Sequence, residues 1–487
     1  MKNIFQLFLI TLLAASCNFL SDVEPSDQLS VEKVFQTAAD LEAALAGAYD
    51  GVQNGSLLGR NTVLFADLMT ENTDYRSGAF WNVATLQMDP TDLNAENLWT
   101  QGYKTINHLN VILGALGPVA AQDASLTAED AGRIEGEALF LRGVIYFELA
   151  RLFCQPISSG KYQELGLPLM LEPVLSAEQL QFPSRSTIAE TYARATADIE
   201  TASALLPETS APGRANRYAA IAYHARIAFQ QEDYAAAAAL AGEIIDSGNY
   251  MLTPTPDEFF VHEGSSEEIW AILASASDEI EGGGGMSSVY HPSGPNEAYI
   301  SEDLKKNGYE AVVPPNQLAA IQRAGYAAVD LRYAPPLISA DTTRTNKYEN
   351  GWIENEDDTP IVRLAEFLLM RDEALARTEG VNVESIALLN QVRERALRAV
   401  DSLGQEAPDG LALLLYKVED FTDNAALIDA IILERRVELA FEGDYFHDLM
   451  RREEPAKGLP SGDERLRLPI PQREIDANPN LVQNEGY

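Results

Sequence analysis

A chain of 487 residues with 46% hydrophobic and 22% charged residues is long enough to bury a large core and has the composition of a globular protein. Its charge balance is the unusual feature: 74 acids against 35 bases leave a net −39, and the bases are 9 Lys and 26 Arg. Nucleic acid is thereby excluded as a partner, since phosphate binding needs clustered Lys and Arg, and a hydrated carboxylate surface suited to high salt is expected.

The first residues read as an address. Lys2 supplies a positive charge, Ile4 to Leu13 is almost wholly apolar, and Leu13-Ala14-Ala15-Ser16 places small residues before Cys17. An apolar run of about ten residues is too short to span a bilayer, so residues 1–16 are expected to be a secretory signal. The small residues before Cys17 resemble the lipobox of bacterial lipoproteins, with Ala14 in place of the commoner Leu. That resemblance makes Cys17 the lipid attachment site and residues 17–30, polar and acidic with Pro25, a tether. Acids this close to the cysteine also resemble the surface-export signal of Bacteroidota lipoproteins. A mature chain beginning at Cys17 would hold only one other cysteine, Cys154, which precludes an intramolecular disulfide. Cys154 follows an apolar run and is expected to be a small buried hydrophobe.

Helical patterns occupy residues 31–252. Phe35 to Val52, Trp99 to Leu113 and Glu135 to Phe153 are amphipathic. Thr187 and Glu190 have capping-box spacing ahead of Ile188, Tyr192, Ala195 and Ile199, and Leu205-Leu206-Pro207 ends that helix. A helix from Ala219 to Phe229, a turn at Gln231-Glu232-Asp233 and a helix from Tyr234 to Ile245 form a hairpin resembling a tetratricopeptide unit, with Asp233 placed as its second N-cap.

The texture changes over 253–360, where repeated Pro, the glycines Gly282 to Gly285 and the acidic run Glu354 to Asp358 predict long loops. The glycines lack the following Lys-Ser or Lys-Thr of a phosphate loop, and the acidic run lacks the spacing of an EF-hand, so a solvated loop is favoured over a calcium site. Helices return over 361–450. Ile361, Leu364, Ala365 and Leu368 have helical spacing, as do Leu433, Val437, Ala440 and Phe441, with Glu434, Arg435, Arg436 and Glu438 set for structural ion pairs. The proline-rich tail, 451–487, cannot build regular helix or central strand at Leu468-Pro469-Ile470-Pro471 and must lie along a scaffold made elsewhere.

Four segments in this order, Gly132 to Phe147, Ile361 to Ala374, Glu434 to Leu449 and Leu468 to Tyr487, resemble the SusD/RagB family of outer-membrane nutrient-binding lipoproteins over essentially the whole mature chain. Cys154 stands where the family often has Gly, and Asp444 where a basic residue is frequent. The resemblance implies a mostly α fold, a superhelix of tetratricopeptide-like hairpins with a loop-rich, ligand-facing half, the two parts meeting near residue 253. It further implies a surface lipoprotein that captures an oligomeric nutrient, usually a glycan, and lids a SusC-like TonB-dependent transporter, with no cofactor, no metal and no bond broken.

Sugar rings offer C–H faces to aromatic rings and hydroxyls to Asp, Asn and Arg. Asp74-Tyr75-Arg76 with Phe80-Trp81 is the best such cluster, in a Gly-containing stretch where the family often places ligand contacts; Tyr290, Tyr299, Tyr348 and Trp352 form a second set. A glycoside hydrolase would need two positioned carboxylates, which 74 acids cannot single out without geometry. A helical scaffold for a protein or peptide partner explains the hairpins but neither the lipobox nor the loop-rich half.

Overall fold

The computed structural model describes residues 34–157, 164–261, 264–275, 277–281, 284–291, 297–348 and 357–487. Cys17, the tether and Trp352 lie outside these residues.

The first helices are α1 (Ala38–Gln53), α2 (Asn61–Leu68), the single turn α3 (Trp81–Ala84), α4 (Leu93–Gln122) and α5 (Ala128–Phe153). Caps set their limits: the Thr37 and Asp40 capping box starts α1 later than Phe35, whereas Asp92 and Thr127, lying outside the apolar stripes, start α4 and α5 earlier than the spacing predicts. Next come α6 (Ile188–Leu205), α7 (Arg217–Gln230) and α8 (Tyr234–Asp246). The expected capping box holds, with Thr187 N–H donating to Glu190 at 2.8 Å and Glu190 N–H to Thr187 at 3.1 Å. Asp233 accepts from Ala236 N–H at 3.1 Å, as its position predicts.

Neighbours in sequence pack on one another in turn, α4 on α5, α5 on α6, α6 on α7 and α7 on α8, which is how a helical solenoid builds a continuous core from units that cannot bury their faces alone. Gly143 lets α5 and α6 meet: a Cβ there would lie 2.9 Å from Ile199 and 3.0 Å from the Ala195 carbonyl. Edge-to-face contacts link Phe140, Tyr223 and Trp270, whose indole N–H donates to the Gly213 carbonyl at 3.0 Å. Cys154 is buried where α5 ends, and burial pushes its thiol above the usual range, as suits an inert core residue.

The stretch after residue 253 holds more structure than long loops. Three two-stranded antiparallel sheets pair β1 (Thr73–Tyr75) with β3 (Ala298–Ile300), β2 (Glu268–Ile272) with β5 (Thr359–Arg363), and β4 (Ala327–Asp330) with β6 (Leu397–Val400). Ile361 therefore belongs to a strand. The helix it was expected to open, α9 (Leu364–Glu379), starts after an extended Arg363, and the apolar spacing merely runs across the junction. Beyond α10 (Val383–Ala396), α11 (Asn424–Glu438) likewise stops before Ala440 and Phe441, the latter at φ 68°. The helix α12 (Asp444–Arg451) follows. The tail lies on the first half as expected: Leu468 N–H donates to Leu152, Gln472 N–H to Pro90, and Asn484 Nδ2 to Phe153. It also forms one short helix, α13 (Gln472–Ala477), after Pro471.

A buried ion-pair network joins these parts. Glu438 accepts from Arg363 at 2.8 Å and Arg332 at 3.3 Å and also pairs with Arg395. Arg363 and Arg395 both reach Glu267, at 2.7 and 2.6 Å. Arg332 and Arg393 hold the two oxygens of Glu434 at 2.6 and 2.7 Å. Glu442 binds Arg363 and Lys347, each at 2.6 Å. Burial alone would raise the Glu438 carboxyl, but Arg395, Arg363 and Arg332 overcome it and hold the group well below the usual range.

Among the described residues, burial takes thirteen basic side chains, twelve Arg and Lys347, and thirteen carboxylates. Burial raises Asp67 and Asp372 among them well above the usual carboxylate range, so the buried acids and bases match in number rather than in charge, and the excess of 39 acids lies on the other residues. Mutual repulsion of these carboxylates opposes folding and is screened by salt. The melting temperature is expected to rise from dilute buffer to molar NaCl; a flat profile would reduce the charge to a solubility feature.

Candidate functional site

The β1–β3 pair sorts the predicted residues by side-chain alternation. Asp74 faces Tyr299 in the ladder, and Arg76 follows two residues on, its N–H donating to the Glu297 carbonyl at 2.9 Å. Asp74 and Arg76 are therefore exposed on one face, with Tyr299 partly exposed beside them, while Tyr75 and Ala298 turn into the core.

On the exposed face, the Arg76 guanidinium lies over the Tyr299 ring, 3.6 Å from its centroid, and its Nε donates to Asp74 at 3.2 Å. The Arg344 guanidinium also lies over Tyr299, at 4.6 Å, and donates to its hydroxyl at 3.0 Å. Arg344 comes from the turn around Asp341, whose carboxyl accepts from Ser339 and Thr343 and is pulled down to about 2 by those bonds. Thr343 is joined to β3 through its carbonyl, which accepts from Ile300 N–H at 2.8 Å.

Tyr75 braces the loop that follows. Its hydroxyl donates to Glu297 at 2.6 Å and accepts from Phe80 N–H at 3.1 Å. Gly78, at φ 122°, makes this packing possible, because a Cβ there would fall within 2.5 Å of the Glu297 carboxylate. Phe80 is buried against Phe65 and Tyr75, whereas Trp81 stays 43% exposed at the start of α3. Asn94 Nδ2 donates to the Ala79 carbonyl at 3.0 Å, and Asn82 Nδ2 to Asp92 at 2.9 Å, so α4 pins the loop on both sides of Trp81.

A residue that sequence reasoning missed completes the surroundings. Ala456 and Leu459 exchange both backbone hydrogen bonds at 2.9 Å across Lys457 and Gly458, whose positive φ values, 47° and 73°, make a tight reversed turn. Lys457 Nζ donates to the carbonyl of Ala84, the last residue of α3. Burial lowers its ammonium to about 8 against the opposing pull of Glu71 and Asp74. The Lys-Gly dipeptide was the only local signal for this turn.

Two members of the second aromatic set are corrected. Tyr290 and Tyr348 are 1% exposed, their rings stacked at 6.0 Å between centroids, with Tyr290 also packed against Phe441. The Tyr348 hydroxyl donates to the Phe441 carbonyl at 2.8 Å. Both rings are framework, and neither offers a face to a ligand. Of the acidic run, Asp357 is buried and Asp358 accepts from Ala274 N–H at 2.8 Å; Glu354 to Glu356 lie outside the described residues. No group of three or more His, Cys, Asp or Glu among the described residues is arranged to hold a metal ion.

A helical scaffold that pins one exposed Trp beside a Tyr–Arg surface has the attributes of a binding protein of helical-repeat architecture. Residues 18–229 match the family profile described as starch-binding, associating with the outer membrane, and residues 337–461 match the SusD family. The chain belongs to the SusD/RagB family, whose members bind nutrients. SusD-like proteins P38 and P2 of Formosa agariphila are each 26% identical to it, over the whole of this chain and 99% of theirs. A SusD superfamily protein from Bacteroides thetaiotaomicron superposes with a TM-score of 0.76 at 25% identity, covering 92% of this chain and 99% of that one. A SusD-like carbohydrate-binding protein from Bacteroides vulgatus shares the fold, with a TM-score of 0.71 at 17% identity over 92% of this chain and 98% of its own. No helix among the described residues is long and apolar enough to cross a membrane.

Proposed function

We propose that this protein captures an oligosaccharide at the outer face of the outer membrane and delivers it to a SusC-like TonB-dependent transporter. Trp81 carries the reading: an indole held open on a loop braced by Tyr75, Asn82 and Asn94 is a preorganised platform for a sugar ring. Asp74 and Arg76 supply hydroxyl partners beside it. The reaction is capture and release, with no bond broken. Incubation with a panel of oligosaccharides is expected to give retention without cleavage; a released shorter sugar would favour a hydrolase.

The anchor belongs to the same proposal. Residues 1–16 are removed, Cys17 takes the lipid and residues 17–30 tether the body to the membrane. Cys17→Ala is expected to release the protein from the membrane fraction in soluble form. Retention of that variant, together with wild-type protein that carries no acyl chain by mass spectrometry, would remove the anchor.

A further inference from the structure

The surface around Tyr299 and the Trp81 loop carries both signs, with Asp74, Glu297 and Asp341 set among basic groups. Arg76 and Arg344 meet over Tyr299 from two separate segments, and Lys457, which donates to Ala84, lies within electrostatic reach of Asp74. The ring of Tyr299, which would serve a neutral sugar as a bare stacking face, is overlain by the guanidinium of Arg76. What a ligand meets there is the guanidinium itself. Arg76 is 57% exposed, and its ion pair with Asp74 uses Nε, leaving the two Nη groups with no hydrogen bond to the described residues. A planar guanidinium with its outer edge available fits two oxygens of one anionic group, a geometry that hydroxyls do not need. Asp74 fixes the orientation of that fork, and Lys457 stands by with an ammonium that has three donors and spends one on Ala84.

We infer that Arg76, backed by the Tyr299–Arg344 stack and with Lys457 nearby, reads a carboxylate or sulfate substituent on the glycan, so that the ligand is an acidic oligosaccharide. This rests on the glycan-binding reading above and narrows it. The acidic surface elsewhere repels a polyanion at long range, but that repulsion fades beyond about 10 Å in ~0.1 M salt, while contact with Arg76 does not depend on it. Selection by this site is thus a short-range effect that survives screening. A neutral glycan can offer the fork single hydroxyls but no pair of anionic oxygens.

The test is a calorimetric comparison of matched pairs: oligogalacturonate against its methyl ester, sulfated against desulfated carrageenan oligomers, and dextran sulfate against dextran. At least one anionic member is expected to bind about tenfold or more tightly than its neutral twin, and the pair that does so separates carboxylate from sulfate. Arg76→Gln is expected to erase most of that preference by weakening the anionic member far more than its neutral twin, and Arg76→Lys to restore only part of it. Lys457→Met should reduce the preference less. Equal affinity within every pair that binds overturns the inference and leaves glycan capture standing. Absence of binding to both members of all pairs overturns the two together. A preference that survives Arg76→Gln unchanged overturns the assignment to this site.

Discussion

Glu438→Gln is expected to lower the unfolding free energy by about 3 kcal/mol, read as a fall in the urea midpoint at unchanged slope. The substitution keeps the side-chain volume and removes a buried charge that three arginines share, Arg332, Arg363 and Arg395. Breaking a buried ion pair typically costs 3–5 kcal/mol, because the partner charge is left in a poorly solvated place. The lower end applies because each arginine keeps a carboxylate: Arg332 has Asp330 and Glu434, Arg363 has Glu267 and Glu442, and Arg395 has Glu267. The pH dependence has a definite sign. A carboxyl held below its unfolded value contributes stability that is fully present above about pH 4.3 and is lost as the pH falls through the folded value. The gap between wild type and variant should therefore be constant near neutrality and close in acid. A gap that widens in acid would contradict the assignment. Arg76→Gln, at an exposed pair, is expected to change stability by less than about 0.5 kcal/mol.

Trp81→Ala is expected to weaken binding of the cognate oligosaccharide by about thirtyfold or more, with the helical circular dichroism unchanged. Trp side chains that dominate an interface are worth at least about 2 kcal/mol, and this one is exposed on a loop braced at Ala79 and Asn82. Tyr348→Phe provides the contrast. It removes a buried hydroxyl's bond to Phe441 and is expected to cost about 1 kcal/mol of stability while affinity stays constant. Undiminished affinity in Trp81→Ala would move the site elsewhere.

Helices were legible wherever a cap and an apolar stripe agreed, as at Thr187, Glu190 and Asp233. They were misread where only the stripe was available. Ile361 keeps helical spacing with Leu364 and Leu368, yet it lies within β5, at the irregularity between Pro360 and Val362, which pair with Ala271 and Trp270 of β2. The site divides along a similar line. Residues 74–81 stand out in the sequence because Asp, Tyr, Arg, Phe and Trp crowd one short Gly-containing segment, whereas Arg344 and Lys457 reach Tyr299 and α3 only through tertiary structure. Tyr290 and Tyr348 show the converse failure: an aromatic in a Gly- and Pro-rich stretch is equally able to point inward, and nothing in its neighbours announces which.

The placement of arginine in the core bears on resistance to proteases. Proteases of tryptic specificity cut after Arg or Lys and need an extended stretch of chain on either side of the bond. Of the 26 arginines, twelve are buried, and those of the central network are gripped by carboxylates on other elements. Cleavage at these bonds requires the core to open first, so digestion there follows the equilibrium population of opened molecules. At the cell-surface location proposed above, an interior that holds arginine under an acidic exterior doubles as concealment of the most vulnerable peptide bonds.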